Sequence, residues 1–217
     1  MIYDAAHAFG VRNEQGSLLN FGDLSVLSFH ATKVFNTFEG GAVISPDRAT
    51  KLRIDRLKNF GIANETEVDA LGCNGKMNEI QAAAGLLQLK HIDSLIQARG
   101  AIAKRYRDAF RDVEGIRCFD EPERGEMNHS YFPIQVESGY PLDRDGLYEM
   151  LKQKRIFSRR YFYPLINRFP MYRGMASGGD GKLPVAEEIA DRVLCLPIYP
   201  DLTVAQQDCI IEAVATA

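Results

Sequence analysis

The stretch Ser28-Phe29-His30-Ala31-Thr32-Lys33 ends in a lysine that lies between two apolar runs. Leu24, Val26 and Leu27 precede it, and Glu39-Gly40-Gly41 opens the second run, Ala42 to Ile44. Short apolar runs bounded by glycine predict buried strands, so Lys33 is expected on the turn between two of them. Turns held by a rigid scaffold are where functional groups concentrate. A lysine amine withdrawn from water there loses part of its preference for the charged form, and its lone pair can form a Schiff base with a carbonyl. Taken alone, a lysine is more often a solvated surface charge.

A second group shifts that balance. Ile2-Tyr3-Asp4-Ala5-Ala6-His7-Ala8-Phe9-Gly10 ends a short apolar run on an acid and follows it with small residues. The carboxyl end of a strand is where an open α/β sheet presents groups to a ligand. Pyridoxal phosphate needs such a pair, an amine for its aldehyde and a carboxylate that keeps the pyridine nitrogen protonated. No metal site is expected. Cys73, Cys118, Cys195 and Cys209 lack Cys-x-x-Cys spacing, and His7, His30, His91 and His129 do not pair at i, i+4. Reduced thiols in a cytoplasmic protein follow as the default.

The elements that must position these groups can be followed along the chain. Asn13 to Asn20 is polar and turn-like. Asp47 after Pro46 starts a helix whose face carries Leu52, Leu57 and Phe60 and which ends at Gly61, and Ile62 to Asn74 has no period and is expected as a loop or short excursion. From Met77 the apolar residues Ile80, Ala84, Leu87, Ile92, Leu95, Ile96, Ile102, Tyr106, Phe110 and Val113 recur at three- and four-residue steps. That pattern predicts two helices broken near His91, the second long and amphipathic. Strands are expected over Ile116 to Phe119 and Tyr131 to Val136, helices over Leu147 to Leu151 and Val204 to Ala215, and a loop over Gly174 to Gly181. The order suits a small α/β domain.

Composition bounds the function classes. The 217 residues are 46% hydrophobic and 25% charged with a net charge of -3, enough material for a real core and no basic footprint for nucleic acid. No apolar run approaches the roughly 20 residues that span a bilayer, so no membrane partner is expected.

Four stretches carry a resemblance: Asp4 to Gly10; Gly22-Asp23 with Ser28 to Lys33; Glu39-Gly40-Gly41-Ala42; and Gly72-Cys73-Asn74-Gly75-Lys76-Met77-Asn78-Glu79-Ile80-Gln81-Ala82-Ala83. Weaker echoes run through Arg160 to Leu165 and Val193 to Pro197. In order and spacing the chain resembles the DegT/StrS pyridoxal-phosphate-dependent sugar aminotransferases. The resemblance implies an α/β fold of the aspartate aminotransferase type (fold type I), with residues 1–100 the remainder of a large cofactor-binding domain and 101–217 a small C-terminal domain.

It also implies roles. Lys33 would be the catalytic residue, holding the cofactor aldehyde and then shuttling a proton. Asp4 would pair with the ring nitrogen, and Ser28 would contact the phosphate. His7 would face the ring, with packing or capping as its other reading. Asn74 would reach the phosphate of a second subunit in a homodimer with shared sites, or cap the helix that follows. Arg159, Arg160, Tyr161 and Tyr163 form a basic aromatic cluster that would face a nucleotide diphosphate, or else an ordinary surface edge.

The implied reaction is transfer of an amino group from L-glutamate to a nucleotide-linked keto sugar, a dTDP-4-keto-6-deoxy sugar by the His-Ala-Thr-Lys version of the motif. Its setting is deoxyamino-sugar and surface polysaccharide (lipopolysaccharide, O-antigen) biosynthesis. Lys33 argues against the family's dehydratases, where histidine replaces the lysine. The family segment that precedes the Asp4 strand, with its phosphate-binding helix start and ring-stacking residue, lies outside this sequence. The chain is therefore expected to be the C-terminal part of a longer enzyme, with a catalytically inactive remnant or a regulatory or sensor member as the alternative. An exposed sheet edge that self-associates or takes an N-terminal partner is expected with it.

Overall fold

The chain opens with β1 (Ile2–Asp4), a small hairpin of β2 (Arg12–Asn13) and β3 (Gly16–Ser17), then β4 (Leu24–Ser28) and β5 (Gly41–Ile44). β1 and β4 are parallel, pairing Asp4 with Val26, and β4 and β5 are antiparallel, pairing Ser28 with Gly41. The computed structural model describes residues 1–179 and 181–217; Asp180, within the loop expected over 174–181, lies outside the described residues. The chain divides into two units, 1–97 with 122–130 and 98–121 with 131–217.

In the first unit β4 alternates as a strand with one covered face must: Ser25 and Leu27 are buried and Val26 is exposed. Below it lies a core of Leu27, Phe29, Val34, Phe35 and Ile92. α1 (Arg48–Leu57) starts where Asp47 accepts the Thr50 N–H at 2.9 Å. It stops at Leu57 and does not reach Gly61. Phe60 (φ 59°) and Gly61 (φ 77°) turn left-handed instead, with the Phe60 N–H donating to the Cys73 carbonyl at 3.0 Å.

Residues 62–74 hold a short antiparallel hairpin, β6 (Ile62–Asn64) with β7 (Glu67–Val68), where the sequence had suggested only a loop or short excursion. α2 (Glu79–Gln88) is capped by Asn78 in a reciprocal box with Gln81. α3 (Ile92–Phe110) follows after the break at His91. Ile92 and Ile96 pack in the first core, and Ile102, Ala103, Tyr106 and Phe110 in the second.

The second unit adds β8 (Ile116–Cys118), β9 (Phe132–Val136), α4 (Arg144–Gln153), β10 (Arg159–Arg160), α5 (Pro184–Arg192), β11 (Val193–Leu196) and α6 (Val204–Ala215). Its sheet runs β10-β11-β9-β8, antiparallel throughout. All four residues of β11 are buried, as suits a strand with neighbours on both sides. Tyr140 donates its hydroxyl to the Val214 carbonyl at 2.6 Å, and burial pushes its pKa up to about 12, so the donor persists across the working range. Among the described residues no helix is long and apolar enough to cross a membrane.

Candidate functional site

β1 hands its last bond to the sheet through the Ala5 N–H, which donates to the Val26 carbonyl at 2.9 Å. The chain then leaves the sheet by tight turns, Ala8 N–H to Ala5 O at 2.9 Å and Val11 N–H to Ala8 O at 3.1 Å. Asp4 stands at this exit, one carboxylate oxygen accepting the Ala6 N–H at 3.1 Å.

The lysine arrives from the neighbouring strand. After β4, Phe29 donates to the Gly40 carbonyl at 2.8 Å and accepts from the Thr37 N–H at 2.9 Å, which closes residues 29–40 into a loop over the core. Within it the Lys33 N–H donates to His30 O at 2.9 Å. Val34 and Phe35 are buried beneath. Phe35 stacks on Phe9 from the Asp4 segment, centroids 4.4 Å apart and 10° from parallel, and meets Phe29 edge-on at 4.8 Å. These apolar anchors hold the two segments together. At their surface Lys33 Nζ lies 2.9 Å from His7 Nε2.

Burial, then the neighbouring Lys33 charge, hold the His7 imidazole below its ordinary value of 6.5, with Asp4 pulling the other way. A neutral imidazole can accept a hydrogen bond from an ammonium at Nε2, which a protonated one cannot. Lysine, histidine and carboxylate therefore share one electrostatic neighbourhood. Ser28 Oγ accepts the His30 N–H at 3.3 Å, which leaves its own hydrogen to donate outward.

Asn74 is exposed and pairs with Asn59 as an isolated bridge. The cap of the following helix is Asn78, so the capping role weighed for Asn74 falls to another residue. In the second unit, Arg160 donates to Asp145 at 2.6 Å and lies 3.9 Å over the Tyr148 ring. Tyr161 packs edge-on against Tyr131 at 5.3 Å, and the buried Arg144 lies 4.5 Å from the Tyr163 ring. Arg159 is exposed in β10.

The donor set fits pyridoxal phosphate. An amine, a carboxylate at a strand end and a hydroxyl with a hydrogen to give converge on the exits of two adjacent strands, and an imidazole stands against the amine. The profile of the DegT/DnrJ/EryC1/StrS aminotransferase family matches residues 1–215. The chain belongs to this family.

It is 51% identical over 203 residues to a dTDP-4-amino-4,6-dideoxy-D-glucose transaminase of Shigella dysenteriae, covering 94% of this chain and 55% of that one. The enzyme of the same name from Escherichia coli is 52% identical, with 93% and 55% covered. A solved structure of DesI in the presence of its TDP-sugar product superposes with a TM-score of 0.90 at 33% identity, over 99% of this chain and 54% of that one. Helicobacter pylori PseC, an aminotransferase involved in the biosynthesis of pseudoaminic acid, gives 0.90 at 26% identity, with 99% and 58% covered. These structures share the α/β architecture described above. The chain spans about half the length of the curated relatives it matches.

Two residues that hold the candidate site together were not visible beforehand. Asn128 is buried, and its amide donates at 2.8 Å to both the His7 and Phe9 carbonyls while its oxygen accepts the Ser130 N–H at 3.1 Å and hydroxyl at 2.8 Å. Gln88, at the end of α2, accepts the Asn36 N–H at 3.0 Å, and the Asn36 amide reaches the Lys33 carbonyl at 3.3 Å. Asn128 lies outside any helix or strand, and Gln88, although on the covered face of α2 with Gln81, Ala84 and Gly85, is polar, so a search for apolar spacing finds neither.

Proposed function

We propose that this chain carries the lysine-bearing half of a pyridoxal-phosphate site that transfers an amino group from L-glutamate to a nucleotide-linked keto sugar, a dTDP-4-keto-6-deoxy sugar by the names of its relatives. The observation that carries the reading is the 2.9 Å contact of Lys33 Nζ with His7, beside Asp4. When bound, the cofactor supplies an aldehyde for an amine and a ring that accepts an electron pair from the substrate carbon. Lys33 would hold the group by its Nζ, and the same amine, when free, would take up and return a proton at Nζ. The Asp4 carboxylate keeps the ring nitrogen protonated, and the Ser28 hydroxyl donates to the phosphate. His7, kept neutral by burial and by Lys33, accepts a hydrogen bond from the amine and orients it.

A homodimer belongs to the same proposal, with Asn74 of a second copy completing the phosphate site. Its support is the exposed apolar surface in the same stretch of chain: Leu71 is 99% exposed, and on α2 Ile80 is 78% and Leu87 60% exposed, a period of seven that puts the last two on one helix face. Arg159, Arg160, Tyr161 and Tyr163 are assigned to the nucleotide end of the substrate, with Arg160 held toward Asp145 at rest. A cytoplasmic setting in surface polysaccharide assembly, O-antigen among them, is the context proposed.

The test is visible absorbance with added pyridoxal phosphate, followed by borohydride reduction and peptide mass spectrometry, on the chain and on Lys33→Ala. The expected result is a band that reduction makes covalent at Lys33 and that the variant lacks. Absence of any covalent mass at Lys33 would overturn the reading and leave a non-catalytic family member.

A further inference from the structure

The second unit contains a cavity of about 580 Å³ that no part of the proposed reaction uses. It lies at one end of the β10 and β11 strands, between the segment that joins α4 to β10 and the segment that joins β11 to α6. Tyr161 and Tyr163 follow β10, so they leave from the other end of that strand. The floor is apolar and part of the core, with Leu202 5% and Ile210 4% exposed. Two aromatic side chains stand at its rim, Phe157 at 75% and Tyr199 at 41% exposure.

The same rim carries Lys154 and Arg155 in succession. Among the described residues no ion pair is formed by either side chain, so both charges are open to a ligand. The backbone makes an arginine at 155 costly. Ile156 N–H donates to Leu151 O at 2.8 Å and Arg155 N–H to Lys152 O at 3.0 Å, the six-to-one and five-to-two pair that ends a helix with one left-handed residue. That residue is Arg155, with φ 61°. Glycine is the usual occupant, since it has no Cβ to crowd the neighbouring carbonyl in this conformation. Phe38, Phe60, His129 and Phe162 are left-handed as well, but Arg155 is the one of the five that lines this cavity. The amino end of α6, whose first turn lines the cavity, adds positive partial charge from the other side.

We propose that this cavity is a binding site for a small molecule with a planar apolar body and an oxyanion head, either a carboxylate or a phosphate. The body lies on Leu202 and Ile210 between Phe157 and Tyr199, and the head faces Lys154 and Arg155. The volume falls within the roughly 300–1,000 Å³ of small-molecule pockets, and an apolar lining with few converging polar groups is their usual character. The proposal stands whether or not the Lys33 reading holds.

Cys209 lines the cavity and is an exposed free thiol; Cys73, exposed in the first unit, provides an internal control. The experiment follows alkylation of both cysteines by N-ethylmaleimide, resolved by peptide mass spectrometry, while naphthoate, naphthyl phosphate or the neutral naphthalenemethanol is titrated in. Expected is protection of Cys209 alone, by one or both anions, at concentrations roughly tenfold below those needed of the alcohol, as one charge-assisted contact provides. Which anion protects identifies the head. Arg155→Gly should raise the midpoint of thermal unfolding by relieving the left-handed strain and at the same time weaken anion protection roughly tenfold. Equal protection by the alcohol, equal slowing at Cys73, no protection at all, or unchanged protection in Arg155→Gly would each overturn the proposal.

Discussion

Asn128→Ala is the substitution that tests the architecture of the candidate site without touching a residue proposed to react. The side chain is 4% exposed and makes four hydrogen bonds, two of them as donor to the carbonyls of His7 and Phe9 on the segment that carries Asp4. Each such bond contributes roughly 1 kcal/mol net, and a buried carbonyl stripped of its donor costs roughly 1–3 kcal/mol. His7 and Phe9 are only half-buried, so water reaches part of what is lost, and the sum expected is about 2–4 kcal/mol. Asn128→Asp should cost at least as much, since it turns the donor into an acceptor facing two other acceptors. Denaturant unfolding of the chain reads the stability. A second readout separates fold from site: the imidazole resonances of His7 followed against pH. With the segment released, the burial and the Lys33 contact that hold its pKa down should both weaken, and the titration should move back toward 6.5. A stability change below about 0.5 kcal/mol would remove the clamp from the argument. A large loss of stability with the His7 titration unmoved would show that Asn128 holds the chain but not the site.

Three further outcomes follow from the same structure. Stability should fall as pH drops below about 6.5: His7 has a folded value lowered from that of the unfolded chain, so the unfolded state binds the extra proton first, and the contribution present above 6.5 is lost as pH falls through the folded value; the slope should vanish in His7→Gln, measured by urea titration at several pH values. Leu147 is fully buried in the second unit, and Leu147→Ala should cost about 2–5 kcal/mol in that unit's unfolding. Gly115→Ala should destabilise measurably by thermal unfolding, because Gly115 has φ 74° and a Cβ there would sit 2.1 Å from the Tyr140 nitrogen.

How much of this was legible before the fold depends on how locally each signal is written. The strand that ends at Asp4 and the two strands flanking the lysine loop were readable because apolar runs broken by glycine translate directly into short strands, and the break at His91 because the helical period resets there. The hairpin at 62–68 was not, since Ile62 and Val68 are exposed and its pattern reflects no core. α5 and β11 were missed for a different reason: Arg192 ends the helix and Val193 begins the strand with no residue between, so the turn chemistry that normally separates elements is absent.

The candidate site shows the same division. Lys33 and Asp4 announce themselves by type and by position at strand ends, but what brings them to one place is not in either motif. Phe9 and Phe35, 26 residues apart in number and stacked at 4.4 Å, register the two segments. Asn128, more than ninety residues beyond Phe35, then fixes the backbone of the Asp4 segment through two carbonyls that any sequence would possess. A side chain that recognises backbone leaves no constraint on the residue it recognises, so no spacing rule could pair Asn128 with His7. The groups proposed to react are therefore local in sequence, while their relative placement is set from three separate stretches, and substitution far from Lys33 is expected to act on the site through the His7 segment first.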